Sequence, residues 1–260
     1  MITFFRKIRQ NLLSEGRTAK YLKYAIGEIV LVVIGILIAL QINTWQQHHK
    51  DRLTERDLLN RIKVDLENDI KGFEDIKAFK QTQNITCLRL LDFYIHPTEQ
   101  AYDTIQFLND IHFAQYFTLP NYHRTSYETS VSTGNILKIA NQKLATDISN
   151  YYNDIELEQH VSDTKRFINA FVEQNLMTKY RLSSKYINAL DGLGGKYMME
   201  RYQNDQRPVL QVKDITNDVS LENYLNDLSI RLIIGIKYLE AEQQWGQQLI
   251  DTINNYLNEQ

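Results

Sequence analysis

Twelve consecutive residues without a polar side chain, Ile29 to Leu40, constrain this chain more than any other feature. They sit inside YAIGEIVLVVIGILIALQINTW, Tyr24 to Trp45, which Glu28, Gln41 and Asn43 interrupt towards its ends. As a helix, Tyr24 to Ile42 is roughly 28 Å long at ~1.5 Å per residue, matching the ~30 Å hydrocarbon thickness of a bilayer. The expectation is a single membrane span, with Tyr21, Tyr24 and Trp45 as interfacial aromatics and Lys20 and Lys23 just outside them. The alternative for an unbroken apolar run of this length is a core helix of a soluble protein. The aromatic and basic flanks favour the span.

Orientation decides which compartment the rest of the chain faces. Arg6, Lys7, Arg9, Arg17, Lys20 and Lys23 precede the apolar run against one acid, Glu15. Lys50, Arg52 and Arg56 follow it, interleaved with Asp51, Glu55 and Asp57. A short basic tail stays behind while a long domain crosses regardless of its charge. The expected topology has a cytoplasmic N-terminus and everything after Trp45 outside a bacterial inner membrane. No small-x-small cleavage site follows the run, so an uncleaved signal anchor is expected rather than a removed signal peptide.

Composition fits one span and a water-soluble remainder: mean hydropathy is -0.41 over 260 residues. Residues 46–260 are enough for one domain with its own core. A net charge of -3 gives no basic surface of the kind nucleic-acid binding needs. A single cysteine, Cys87, excludes an internal disulfide framework and a thiolate metal cage. The domains expected are a basic amphipathic cytoplasmic segment, 1–23, the span, 24–45, and an extracytoplasmic domain, 46–260.

Before the span, Phe5, Ile8 and Leu12 share a helical face, and Arg6, Lys7 and Arg9 lie off it, a pattern suited to the inner leaflet surface. Ser14, Glu15 and Gly16 break that helix, and Thr18 is a candidate cap for the next. Within the span, Glu28 falls within about 20° of both Gly35 and Ala39 at ~100° per residue. Gly35 and Ala39 form a small-xxx-small pair that admits a close helix, from a second copy or a partner membrane protein. Glu28 snorkels to the interface or pairs with Lys20 or Lys23, unless it is an ion or proton site.

After the span, Leu59, Ile62, Leu66, Phe73 and Ile76 recur at helical spacing with charge on the other faces, predicting a helix continuous with the span. A second apolar run, Cys87 to Ile95, closes at His96-Pro97, and its leucines predict that Cys87 is a buried thiol rather than a nucleophile. Tyr102, Phe107, Phe113, Tyr116, Phe117 and Tyr122 form an aromatic-rich stretch that fills a core or, alternatively, lines a ligand pocket.

Next come Tyr127 and Val131 on a short helix, ended by Ser132, Thr133 and Gly134, with Leu137 and Ile139 packing back. Gly134 is expected in the left-handed conformation that terminates helices. Asn141 is expected to cap a helix whose inner face runs through Leu144, Ile148, Tyr151 or Tyr152, and Ile155. This turn reads as structural, with Tyr127, Ser132 and Gly134 as its key positions, the alternative being a binding loop.

FFRKIRQNLL followed by KYLKYAIGEIVLVVIGILIALQINTW, and then SYETSVSTGNILKIANQKLATDISNYYNDI, resemble an uncharacterised bacterial family of membrane-anchored proteins, domain of unknown function family 6090. The likeness is dense at the N-terminus and general over the last hundred residues. It implies location and helical architecture, and carries no activity, substrate or catalytic residue.

Phe167, Phe171, Leu176 and Tyr180 continue the helical pattern to Gly192, Gly194 and Gly195. DGLGGKY fails as a phosphate loop: Leu190 stands where the first glycine belongs, and Tyr197 replaces the serine or threonine. A polar loop is expected from Asn204 to Asp218. Ser220 is then expected to cap a last helix striped by Leu225, Leu228, Leu232, Leu239, Leu249, Ile253 and Leu257. At about 55 Å that helix is long enough to lie antiparallel to the one after the span. The fold class is all-α: one N-terminal transmembrane helix continuing into a bundle with long antiparallel helices.

Catalytic chemistry has little footing. Glu156 with His160 and Asp92 with His96 are spaced i, i+4, but di-iron bundles need Glu-x-x-His on two helices, so solvated ion pairs are expected. His48 and His49 read as neighbours of lipid headgroups. No serine elbow, zinc-protease or kinase motif is present, and no enzyme, metal or cofactor is expected. The functional expectation is a membrane-tethered scaffold or interaction protein whose partners are the bilayer and a second copy or membrane protein. The alternative is a helical-bundle sensory or small-ligand-binding module.

Overall fold

The computed structural model describes residues 18–96, 104–180, 206–215 and 218–259. The basic positions Arg6, Lys7 and Arg9, together with Tyr102 and the DGLGGKY segment, lie outside them. The described residues are helical with no β-strand, as the sequence periodicity requires. The first described helix, α1, is Thr18–Ile95 without interruption, so the helix expected after the span and the apolar run Cys87 to Ile95 are one element. It ends at the residue before His96-Pro97, where proline excludes the helical conformation of its predecessor.

The chain divides into two compact units, Met1–Asp57 and Leu58–Gln260. In the first, the described residues are the N-terminal part of α1. The large apolar side chains from Ile29 to Leu40 face outward: Ile29, Leu31, Ile34, Leu37, Ile38 and Leu40 are each about half or more exposed.

The second unit is a bundle. After α1 come α2 (Thr104–Ala114), α3 (Thr125–Ser132), α4 (Gln142–Asn153), α5 (Glu156–Phe171) and α6 (Val219–Asn258). A 3-10 turn, Asn135–Lys138, joins α3 to α4, and α5 runs on through a π turn, Val172–Leu176. α1 and α6 are antiparallel, because partner numbers fall along one as they rise along the other. Lys63 Nζ donates to Asn254 Oδ1 at 3.3 Å, Lys77 Nζ to Gln243 Oε1 at 3.2 Å, and Ser229 Oγ to Asn84 Oδ1 at 2.6 Å.

Two apolar clusters are strung along this pair. One gathers Leu59, Ile62, Leu66 and Phe73 of α1 with Ile148, Tyr151 and Tyr152 of α4 and Leu239, Leu249 and Ile253 of α6. The other gathers Cys87, Leu90 and Leu91 with Phe107 and Ile111 of α2, Phe171 of α5, and Tyr224, Leu225, Leu228 and Leu232 of α6. Buried polar groups separate them in sequence on two of these helices, Lys80 and Gln83 on α1 and Thr164 on α5, while Ser229 of α6 lies within the stretch that serves the second cluster. Gln83 Nε2 donates to the carbonyls of Phe113 and Ala114, both at 3.1 Å, satisfying orphan acceptors at the end of α2.

The aromatic-rich stretch serves these clusters. Phe107 and Tyr122 are buried in different ones, and Phe113 meets Phe79 edge-on at 5.2 Å. Cys87 is fully buried, and burial pushes its thiol up to about 12, as expected of a structural thiol. Three local expectations are corrected. The cap of α6 is Asp218, whose carboxylate accepts from the Ser220 amide at 3.0 Å, so Ser220 is capped rather than capping. Leu137 and Ile155 are exposed, and Ile136 packs inward where Leu137 was expected. Leu137 follows Ile136 on a tight 3-10 turn, and adjacent residues there point to different sides.

Candidate functional site

Two places concentrate unusual physical chemistry, one in each unit. In the first unit, α1 presents Gly35 and Ala39 exposed on one face, and nothing lies within 4 Å of where a Gly35 Cβ would be. Glu28 is half-buried and Lys23 is exposed. The side chain of Lys20 lies outside the described residues. One helix is long and apolar enough to cross a membrane, it lies near the N-terminus, and its apolar window is unburied.

In the second unit, Asp65 and Asp69, one turn apart on α1, hold the segment that enters α3. Asp69 Oδ1 accepts from the His123 amide at 2.6 Å and sits 2.8 Å from His123 Nδ1, while its Oδ2 accepts from the Tyr151 hydroxyl at 3.3 Å. Asp65 Oδ2 accepts from the Ser126 amide at 3.1 Å. The residue preceding α3, Arg124, makes no side-chain cap, so Asp65 supplies from another helix what a local cap ordinarily would. A carboxylate there also complements the positive end of the helix dipole.

Tyrosines close over these acids. Tyr122 meets Tyr151 edge-on at 5.8 Å, Tyr151 meets Tyr152 edge-on at 5.1 Å, and Tyr127 stacks on Tyr152 at 4.9 Å. Asn153 Nδ2 donates to the Tyr127 hydroxyl at 2.9 Å. Both members of the Tyr151-Tyr152 pair are therefore inside, where the sequence left one of the two open. Arg124 lies over the Tyr122 ring at 4.9 Å and donates to Glu158 Oε1 at 2.6 Å. Gly134 adopts φ 71°, ψ 7°, and Asn141 Oδ1 accepts from the Leu144 amide at 3.1 Å, both as expected. The Ser132 hydroxyl donates to the Thr129 carbonyl at 2.9 Å, tying off the end of α3.

From α6 the same cluster receives Glu242, 4 % exposed, with Oε2 left without a hydrogen-bond partner. Burial foremost, then the neighbouring Asp154 carboxyl, pushes Glu242 up to about 8. Burial likewise raises Asp69, against the opposing pull of His123. Glu242 is thus a protonated acid at neutral pH, the state that a water-excluded carboxyl without a cation adopts. Burial moves the Tyr122, Tyr151 and Tyr152 hydroxyls upward as well, so they remain neutral, and Tyr151 donates to Asp69.

Asp69 and Glu242 were missed by the sequence reading although a signal existed. Asp69 falls between Leu66 and Phe73 on the apolar stripe of α1, and Glu242 lies three residues after Leu239 on that of α6. Of the two acid–histidine pairs, Asp92 and His96 form the expected exposed contact at 3.2 Å. Glu156 and His160 do not pair, because the half-buried imidazole turns inward and lies 2.9 Å from the Arg231 carbonyl. Among the described residues no group of three or more His, Cys, Asp or Glu is arranged to hold a metal ion.

The fold and these two places define an all-α protein with one helix long and apolar enough to cross a membrane and a bundle clamped by buried acids and tyrosines. The chain belongs to a family of unknown function, DUF6090, whose model matches residues 28–164. That match contains the apolar run Ile29 to Leu40 and the clamp from Asp65 to Tyr152, whereas Glu242 lies beyond it. No curated protein and no solved structure matches the chain.

Proposed function

We propose that the protein is a membrane-tethered interaction protein: Tyr24 to Trp45 crosses a bacterial cytoplasmic membrane once, the basic N-terminus stays inside, and residues 46–260 present helical surfaces outside. The observation that carries this reading is the exposure of every large apolar side chain from Ile29 to Leu40 on α1. Apolar area left in water costs about 25 cal/mol per Å², a cost that hydrocarbon removes. The excess of Arg and Lys before the span supports the orientation.

The interaction half is supported by Ile230, Ile233 and Ile234 on α6, exposed together at the i, i+3, i+4 spacing of one helical face. Phe107 and Tyr122, which would have lined a pocket in a sensory module, are packed into the apolar clusters.

Flotation of membranes expressing the full chain, followed by protease added to cells whose outer barrier is opened, tests the tether. The chain should float, resist alkaline extraction, and lose residues 46–260 to external protease. Soluble chain without detergent, or a protected domain, overturns it. A photocrosslinking residue at Ile233 should capture a discrete partner, and one at the exposed Gln248 on the same helix should not.

A further inference from the structure

We infer that Trp45, His48, His49 and Arg52 form a binding site for the phosphate group of an anionic phospholipid in the leaflet where the apolar helix emerges. This rests on the proposed span and deepens it by naming the lipid chemistry that the exit end recognises. The four residues line a concavity of about 410 Å³ on α1. Trp45 and His49 stack, with ring centroids 6.0 Å apart and planes 12° apart, and Trp45 is 71 % exposed.

Their spacing puts them on one face: at ~100° per residue, His48, His49 and Arg52 fall within about 60° of Trp45. The exposed Arg56 continues that stripe. Asp51 lies off it and accepts from Gln47 Nε2 at 3.2 Å. Arg52 is exposed. The stripe is also roughly 100° around the helix from Glu28, Gly35 and Ala39, so a helix packed on the small residues leaves it facing lipid.

Depth matches as well. His48 and His49 are about 9–10 Å beyond Ile42 along the axis and Arg52 about 15 Å, and side chains lean back towards the helix N-terminus. The headgroup layer extends about 5–8 Å past the hydrocarbon. A long arginine side chain reaches back into it, where a guanidinium makes a paired contact to phosphate oxygens that no zwitterionic neighbour neutralises. The tryptophan ring marks the boundary between acyl chains and headgroups.

The test reconstitutes the full chain into vesicles of equimolar phosphatidylcholine and phosphatidylglycerol and measures selection by spin-labelled versions of each lipid. Wild type should restrict phosphatidylglycerol about five-fold more than phosphatidylcholine, the preference one cation contributes at a membrane surface. The combined variant H48Q, H49Q and R52Q should float with the vesicles, keep its helical circular dichroism, and lose that preference. Free inorganic phosphate should not restore or compete with it, since the lipid is held by the bilayer as well as by its charge. Equal lipid preference in wild type and variant overturns the site while leaving the span intact. A chain that does not float overturns the span and this inference together.

Discussion

The two units depart from ordinary burial in opposite directions. In the first, Ile29 is 64 % and Leu31 63 % exposed, apolar surface that no other described residue covers. In the second, Asp69 is fully buried and Glu242 4 % exposed, acids with no water around them. The same α1 helix carries Leu31 and Asp69, so helix formation does not distinguish the regions; solvent and partners do. An exposed apolar surface of this length is stable in hydrocarbon, whereas a buried acid is stable when it is hydrogen-bonded, as Asp69 is, or protonated, as Glu242 is.

The harshest way to break the contrast is to put charge on the apolar side. Ile34→Arg together with Leu37→Arg places two cations at the middle of the proposed span, where each costs about 2.5–3.5 kcal/mol on insertion scales. The chain should move from the floating membrane fraction to the soluble or aggregated one. If it floats unchanged, the apolar run is not what anchors it.

Removing apolar bulk instead separates the units by stability. Phe73 is fully buried and meets Tyr122 edge-on at 5.1 Å, so Phe73→Ala should cost about 3–5 kcal/mol and lower Tm by roughly 10 °C. Leu31→Ala, which removes about half as much hydrocarbon and does so from an exposed position, should leave Tm in detergent within about 1 °C. Thermal unfolding of both variants in one detergent gives the comparison directly.

The buried acid predicts a pH dependence of definite sign. A carboxyl whose folded pKa, about 8, lies above its ordinary 4.5 holds its proton more tightly in the folded chain. Its contribution is fully present below about 4.5 and is lost as pH rises through about 8, at up to about 1.4 kcal/mol per pH unit. Asp69, also raised, acts with the same sign. His160, lowered mainly by burial, acts oppositely, and its contribution fades as pH falls below its ordinary 6.5. Glu242→Gln should therefore stabilise the bundle on the order of 3 kcal/mol at pH 9 and change it little at pH 5. Denaturant titrations at the two pH values check this; an equal effect at both would mean that Glu242 is ionised when folded.

What the sequence made legible follows from the same contrast. Periodicity of apolar residues carries far, and it yielded the inner faces of α1 and α6, with Leu59, Ile62, Leu66, Leu228 and Leu239 all buried. Local backbone chemistry carries too, as Gly134 and Asn141 show. Asp65 capping α3 was not legible, because its partner amide, Ser126, is 61 residues away and no local pattern encodes a cap borrowed from another helix. Glu242 escaped for a related reason: a charged residue on an apolar stripe looks like an edge position until other segments, here Tyr122 before α3 and Asp154 after α4, cover it. His160 pairs with a backbone carbonyl on α6, which sequence spacing to Glu156 cannot reveal.

The smallest effect sharpens the account of the turn between α3 and α4. Gly134 has φ 71°, the left-handed region in which a Cβ meets the following carbonyl oxygen, yet nothing lies within 4 Å of where that Cβ would be. Strain and crowding are therefore separable at this position. Gly134→Ala should cost about 1–2 kcal/mol from the backbone alone, and Gly134→Asn appreciably less, because asparagine tolerates that conformation through local hydrogen bonding. Equilibrium unfolding of the two variants decides it: equal losses would place the cost in packing, which the open space around Gly134 argues against, whereas the graded loss would locate it in φ and confirm that the turn aims Tyr127 at Tyr152 by backbone geometry.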